Sequence, residues 1–343
     1  MSAPYSNLPG RTTRTLQLAL FATSLTWYIS SHILAGRAAQ GITRQFDLEP
    51  GRLLLSALFL LFLLSVGFSL LNTIARQHSS LRGVLGLPKR PTARTEWLQG
   101  IAVGWGMAVL AVLPLAISGS LYVTLWTAPR AFWLLLINLA AVAVGTLAEE
   151  VVFRGYPFRR LIEAIGPVGA TLTMSLLFAV AHAINTDSSW TSILLTALAG
   201  VLFSIAWFRT HGLWLPWGIH FAWNASLGLI FGLPVRGEIG SASVVLSNAH
   251  GPLWLTGGDY GPEAALFTGL VLIVGIVVLI RITRDYAWNY THAPIIPGGY
   301  PMDIAPPPAH AAMEQEAAGR PPSLIQILPT TPQSRSVDEE PKP

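Results

Sequence analysis

Long apolar segments recur along most of this sequence, and they constrain its fold more than any other feature. The strongest lies within Arg52–Ile74, where LLLSALFLLFLLSVGFSLL carries no charged side chain. A helix of about 20 apolar residues is long enough to cross a hydrocarbon layer roughly 30 Å thick. Only 11% of the 343 residues are charged, against the roughly 25% typical of soluble domains. The pattern predicts an all-α, polytopic membrane protein.

We expect about eight transmembrane helices that enclose a buried polar cavity. In chain order, the predicted spans are Thr15–Gly36, Arg52–Ile74, Trp97–Ser118, Ala131 to Glu150, Val168–Asn185, Thr191–Phe208, Gly212–Phe231 and Ala264–Ile282. Residues 1–130 then carry the first three spans with a basic cytoplasmic loop, and residues 131–283 form a membrane core of spans four to eight. Residues 284–343 are Pro-rich and lack apolar periodicity, which predicts a disordered cytoplasmic tail.

Proline and glycine predict where the helices are interrupted. We expect a break at Gly155-Tyr156-Pro157, because proline removes a backbone donor and clashes with the preceding turn. Phe158–Ile165 is then predicted to be a short amphipathic segment with Arg159 and Arg160 on its solvated side. Near the end of the chain, Gly261-Pro262-Glu263 favours a helix start directly before the eighth span.

The distribution of Lys and Arg predicts the orientation in the membrane. With an inner amino terminus, thirteen of the 21 lie on the inner side, five lie outside and the rest lie in the tail. The inner set includes the loop between spans two and three, with Arg76, Arg82, Lys89, Arg90 and Arg94. Because positively charged loops stay on the cytoplasmic side, we expect both termini to be cytoplasmic. The expected location is the inner or plasma membrane of a bacterium.

Two compositional features exclude several kinds of function. The chain has no cysteine, which excludes disulfides, a thiol nucleophile and thiolate metal ligands. Its net charge of +4 comes from basic residues spread between apolar segments. No continuous basic surface is therefore expected, and nucleic acid is not a predicted partner.

A pair of carboxylates, Glu149 and Glu150, stands at the end of the fourth apolar segment. Arg154 follows Glu150 by four residues, one helical turn away. Ionisable side chains at membrane depth are costly and usually mark a functional site. Two histidines lie well inside later predicted spans, His182 in the fifth and His220 in the seventh. These residues are the candidates for a shared polar site.

Counting along the helices places the carboxylates and the histidines at comparable depths. Glu150 lies fourteen residues before Ala164, and His182 lies fourteen residues after Val168. If 164–168 is a turn between antiparallel helices, both side chains lie about 21 Å of helical rise from it. His220 lies about 12 Å of rise from the inner end of its span. We therefore expect a common cavity that opens towards the cytoplasmic side, provided that spans four, five and seven are adjacent.

The residue types in this cluster suit the hydrolysis of a carbonyl compound. A glutamate with a histidine activates water for attack on a carbonyl, either directly or through a bound metal. His220 and Asn224 lie one turn apart on one helical face, and their side chains suit the stabilisation of an oxyanion. Arg154 is placed to pair with a carboxylate and hold it ionised.

The same residues resemble the three motifs of the CPBP intramembrane proteases. This family, also called the Abi family, comprises CAAX proteases and bacteriocin-processing enzymes and includes the type II CAAX prenyl endopeptidases. The resemblance covers about residues 131–232 and rests on the order and spacing of Glu149-Glu150-x-x-x-Arg154, Phe178-x-x-x-His182 and His220-x-x-x-Asn224.

The resemblance implies a role for each motif residue. Glu149 would activate the hydrolytic water together with His182, His220 and Asn224 would form the oxyanion site, and Glu150 would support the site and pair with Arg154. Members have been described both as metal-dependent and as glutamate-dependent, so the cofactor stays open. It is either a divalent metal such as zinc, held by Glu149, His182 and His220, or none.

The resulting hypothesis is a peptidase that cleaves a membrane protein or peptide at the lipid bilayer. Neither the substrate, prenylated or not, nor the oligomeric state follows from the sequence. One alternative is a non-catalytic membrane immunity or scaffold protein in which the polar cluster is structural. A proton-coupled carrier is a further alternative. It predicts inverted repeats, and we find no second half of that kind.

Overall fold

Helices make up most of the described structure, a computed structural model that covers residues 14–77, 79–238 and 244–284. The helices are α1 (Arg14–Gln45), α2 (Arg52–Ile74), α3 (Leu81–Leu85), α4 (Ala93–Ile117), α5 (Pro129–Glu150), α6 (Tyr156–His182), α7 (Trp190–Thr210), α8 (Trp214–Ala225), α9 (Leu253–Thr256) and α10 (Leu266–Ile282). Strand β1 (Leu121–Leu125) pairs antiparallel with β2 (Val245–Ala249), with Val123 opposite Ser247. The predicted disordered tail, from Asp285 onward, lies outside the described residues.

Among the described residues, five helical segments are long and apolar enough to cross a membrane, so the predicted count of eight is not confirmed. The fourth and fifth predicted spans lie in one 54-residue segment, and α10 has only 17 residues. The seventh predicted span is divided between α8 and a π-helical extension. The five segments are Arg14–Gln45, Glu49–Ile74, Ala93–Ile117, Pro129–His182 and Trp190–Thr210.

The 54-residue segment is interrupted at two glycines. A π-helical stretch follows α5 and ends at Gly155, whose ψ of −127° lies outside the helical region. The next helix, α6, carries Pro157 in its first turn, where the missing N–H has no intrahelical partner to lose. Gly166 has φ 81° and ψ 169° and divides α6 into two halves. The predicted break at Gly155 and the predicted turn at 164–168 are both confirmed.

The first half of α6 does not present its arginines to solvent as predicted. Arg160 is only 5% exposed; it donates a hydrogen bond to Gln17 Oε1 at 3.2 Å and pairs with Glu163 at 2.8 Å. Arg159 donates to the carbonyl oxygen of Val84 at 2.6 Å. The two guanidinium groups thus connect this half of α6 with α1 and α3.

Helix α8, which carries the motif around His220, is packed against α4 through glycines. A Cβ atom added at Gly104 of α4 would overlap the carbonyl oxygen of Ile219, and one added at Gly218 would overlap that of Trp97. Small residues allow membrane helices to approach this closely. The contact fixes the depth and the rotation of α8, because neither backbone has room to shift.

One end of the helix bundle, named here the basic end, is formed by residues 76–94 apart from the undescribed 78, the start of α8 and the first half of α6. The N–H of Leu213 donates to the carbonyl of Gly86 at 2.9 Å, and Trp214 Nε1 donates to that of Pro88 at 3.0 Å. These bonds hold the loop between α2 and α4 against the start of α8.

The opposite end, named here the loop end, is formed by residues 46–52, 119–128, 183–189 and 231–264, apart from the undescribed 239–243. The N–H of Gly237 donates to the carbonyl of Tyr260 at 3.0 Å, and that of Trp126 donates to Val244 at 2.8 Å. The β1–β2 sheet also lies at this end. These contacts bring the chain segment after α8 back over the helices.

Candidate active site

Glu150 and Arg154 form an ion pair that is buried in the bundle. Arg154 donates to Glu150 Oε1 at 3.1 Å, and neither side chain has exposed surface. Arg154 also donates to the carbonyl of Gly200 at 3.1 Å, and its guanidinium lies 4.6 Å from the ring centroid of Phe178 and 5.0 Å from that of Phe203. Arg154 belongs to the π-helical stretch that follows α5, and its contacts with Phe178 and with Gly200 connect this stretch to α6 and α7.

His220 is held by the same carboxylate in a defined tautomer. Its Nδ1 lies 2.8 Å from Glu150 Oε1, and its ring stacks on Phe203 with centroids 4.8 Å apart. An ionised carboxylate only accepts hydrogen bonds, so Nδ1 carries the proton and donates it. The lone pair of Nε2 therefore faces the other way, towards Glu149 Oε2 at 3.6 Å.

His182 has the same tautomer for a similar reason. Its Nδ1 lies 2.7 Å from the carbonyl oxygen of Phe178, one turn earlier in α6, and a carbonyl oxygen only accepts. Nε2 lies 3.9 Å from Glu149 Oε2, too far for a direct hydrogen bond but suited to a shared water molecule. The two histidines thus turn their Nε2 lone pairs towards one carboxylate oxygen.

Glu149 is paired with an arginine that the sequence did not identify as a site residue. Arg236 donates to Glu149 Oε1 through NH1 at 2.6 Å and to Oε2 through NH2 at 2.9 Å. NH2 also lies 3.0 Å from His220 Nε2, which accepts because guanidinium only donates. Arg236 lies in the loop after α8, and helical periodicity does not place loop residues.

The backbone around Arg236 is fixed by Glu263. Arg236 has φ 56°, in the left-handed region, and its N–H donates to Glu263 Oε2 at 2.8 Å. Trp223 Nε1 donates to the other oxygen of Glu263 at 2.9 Å. Burial opposes the charge of Arg236, but the Glu149 carboxylate and its hydrogen bonds raise the pKa of Arg236 above its ordinary value.

Glu263 differs from its predicted position at the start of the last helix. Pro262–Ala264 is a separate 3-10 turn, and α10 begins only at Leu266. The turn directs the Glu263 carboxylate towards Trp223 and the loop after α8, which is a contact that the helix-start signals did not indicate.

Asn224 lies one turn beyond His220 and lines the cavity next to Glu149. It is 8% exposed, and its Oδ1 is buried without a hydrogen-bond partner among the described residues. An unpaired buried amide is costly. The Asn224 amide oxygen is therefore available to accept a further hydrogen bond, and Glu150 Oε2 and Arg154 Nε are likewise buried without a partner among the described residues.

The cavity beside the carboxylate cluster has a volume of about 250 Å³. Its lining includes Thr146, Glu149 and Asn224 from the helices, Leu53 from the first turn of α2 next to the loop end, and Asn185 and Glu238 from the loop end. The expectation that the cavity opens towards the side of the basic loop is wrong, because its outermost lining residues belong to the opposite end.

The residues named as a metal set do not fit a zinc site in this arrangement. Arg236 NH2 lies within 3.0 Å of both His220 Nε2 and Glu149 Oε2, the atoms that would bind the ion. Zinc ligands lie about 2.0–2.2 Å from the metal, so the guanidinium takes the space that the ion needs. Among the described residues, no group of three or more His, Asp or Glu side chains is arranged to hold a metal.

The fold and the cluster together define a helical membrane protein with a buried Glu–His–Arg site. Residues 130–226 match the family model of the type II CAAX prenyl endopeptidase Rce1-like proteins. The chain thus carries an Rce1-like domain, which confirms the family resemblance, and all the motif residues lie within the matched segment. Searches of curated proteins and of solved structures found no match.

Proposed function

We propose that this protein is an intramembrane endopeptidase in which Glu149 activates the attacking water. One observation carries the proposal: the Nε2 atoms of His182 and His220 converge on Glu149 Oε2, at 3.9 and 3.6 Å. Each histidine presents a lone pair there because its Nδ1 proton is engaged elsewhere. The Rce1-like match over residues 130–226 supports a protease of this type.

These contacts support the following course of hydrolysis. Water between Glu149 and His182 loses a proton to the carboxylate while its oxygen attacks the peptide carbonyl. The oxyanion that forms accepts a hydrogen bond from the Asn224 amide. Glu149 then returns the proton to the leaving nitrogen, which gives a carboxylic acid and an amine. His220 contributes a donor at Nε2 only when it is protonated, because its Nδ1 proton is already directed at Glu150.

The Arg236 guanidinium has to release one carboxylate oxygen of Glu149 before this reaction begins. In the described state its guanidinium binds both carboxylate oxygens. If NH1 keeps Oε1 while NH2 moves away, Oε2 becomes available to the water, and NH2 turns to the cavity as a second oxyanion donor. Arg236 thereby replaces part of the oxyanion role that the sequence assigned to His220.

The test is a comparison of cleaved peptides in membranes that contain the wild type or Glu149→Gln. We expect the substitution to abolish cleavage without changing the amount of protein, since Gln cannot accept the proton. Glu163→Gln is the matched control, because Glu163 is 43% exposed and lies at the basic end. Cleavage that persists in Glu149→Gln would overturn the proposal.

A non-catalytic membrane scaffold or immunity protein is the second candidate. The bidentate pairing of Glu149 with Arg236 favours it, because a structural network also leaves its charges paired. This candidate predicts that Glu149→Gln supports the cellular phenotype as well as the wild type does, and that the two membrane samples contain the same peptides.

A further inference from the structure

The cavity is walled off from the basic end of the bundle. Arg154, Val151 and Leu215 have no exposed surface, and Ile219 is 1% exposed. These side chains fill the layer between the carboxylate cluster and the start of α8. His220 lies only six residues, about 9 Å of helical rise, from that start. Yet the short route to the basic end is closed by packed side chains.

At the loop end the cavity is bordered by exposed residues. Leu53 is 42% exposed, and Glu238 is also exposed. Both line the cavity together with Asn185, which lies in the loop between α6 and α7. Access from the aqueous phase is therefore from the loop end.

The basic end carries more Lys and Arg residues than the loop end, and this difference predicts which end faces the cytoplasm. Eleven described basic residues lie towards the basic end: Arg14, Arg76, Arg82, Lys89, Arg90, Arg94, Arg159, Arg160, Arg209, Arg281 and Arg284. Five arginines lie towards the loop end: Arg37, Arg44, Arg52, Arg130 and Arg236. Since Lys and Arg near membrane helices favour the cytoplasmic side, the basic end is cytoplasmic and the loop end is not.

We propose that the substrate is a polypeptide segment on the non-cytoplasmic side of the membrane, which enters the cavity from the loop end. The inference rests on the proposed endopeptidase function and narrows its substrate class. The segment is either a translocated part of a membrane protein or a peptide released on that side. The carboxyl terminus of a protein lipid-anchored at the cytoplasmic surface does not reach this opening.

The absence of cysteine from the chain allows a direct test of the sidedness. Single cysteines are introduced at Glu238, which borders the cavity, and at Ser79, which is exposed at the basic end. Intact cells are treated with a membrane-impermeant maleimide before and after permeabilisation. We expect Glu238→Cys to be labelled equally in both conditions, and Ser79→Cys to be labelled only after permeabilisation.

Any other pattern of maleimide labelling overturns the proposal. Labelling of Ser79→Cys alone in intact cells would place the cavity on the cytoplasmic side, and labelling of both would show mixed orientation. The same labelling is repeated in the Glu149→Gln background, where proteolysis is lost but topology is not. A failed sidedness test thus leaves the endopeptidase proposal standing, and a failed peptide comparison leaves the sidedness intact.

Discussion

Removal of the charge of Glu150 tests how much the buried ion pair with Arg154 contributes to stability. Glu150→Gln keeps the shape of the side chain and leaves the Arg154 guanidinium, which has no exposed surface, without a counter-ion. Breaking a buried pair on one side costs about 3–5 kcal/mol. The Gln amide oxygen still accepts one hydrogen bond, so we expect the free energy of unfolding to fall by about 3 kcal/mol, at the lower end of that range.

That loss is large enough to measure by heating. For domains of about 150–250 residues, about 1 kcal/mol corresponds to roughly 2–4 °C. Glu150→Gln should therefore lower Tm by up to about 6–12 °C. The assay is the fluorescence of the 12 tryptophans in detergent-purified protein. The exposed control Glu163→Gln should cost at most about 1 kcal/mol. High salt should abolish the control's deficit and leave that of Glu150→Gln unchanged.

A second substitution distinguishes lost charge compensation from general damage. Arg154→Met in the Glu150→Gln background removes the unpaired cation and places a flexible apolar side chain near Phe178 and Phe203. The Gly200 carbonyl keeps a donor, Ser204 Oγ at 2.8 Å. We expect the double variant to regain at least half of the lost Tm. A Glu150→Gln protein that melts within about 2 °C of the wild type, less than 1 kcal/mol, would refute the reasoning.

Two further predictions follow from the packing and from the guanidinium in the site. Gly104→Ala should lower the free energy of unfolding by about 1–3 kcal/mol, because overpacking forces α4 away from α8. Gly106→Ala is the control and should be neutral, since a Cβ atom at Gly106 meets nothing within 4 Å. Equal Tm values for the two variants would contradict the close contact between α4 and α8. Dialysis against a strong chelator should leave proteolysis and Tm unchanged, because the Arg236 guanidinium keeps its positive charge on Glu149 Oε1 through NH1 even when NH2 moves, and a like charge opposes a metal ion there. Activity that is lost on chelation and restored by zinc would show this to be wrong.

The residues on helices were predictable because helical spacing relates them to one another. Glu150 and Arg154 are one turn apart in sequence, and the structure places them in contact even across a π-helical turn. The number of residues from the turn at 164–168 is the same for Glu150 and for His182, which predicted that His182 lies at the depth of the carboxylates. In the structure, His182 Nε2 lies 3.9 Å from Glu149 Oε2. In both cases the rise per residue carries the prediction, although the segment counted includes the π-helical stretch and the break at Gly155.

The residues in loops were not predictable in the same way. Arg236 lies in a segment with a positive φ and no repeating pattern, so nothing in the sequence directs its side chain inward. The open side of the cavity was missed because it depends on which helix ends are sealed by side chains such as Leu215. Sealing is a property of the three-dimensional packing, and spacing along the chain does not encode it.

The pairing of Glu149 with Arg236 has a consequence for biosynthesis. The two residues are 87 positions apart, so α5 leaves the ribosome long before its partner has been made. An ionised side chain in a membrane helix costs roughly 2.5–3.5 kcal/mol on insertion scales, and the apolar neighbours in α5 outweigh this during synthesis. Because Glu263 is made later still, the site is completed only when the final helices arrive. A nascent or truncated chain is thus inserted but inactive.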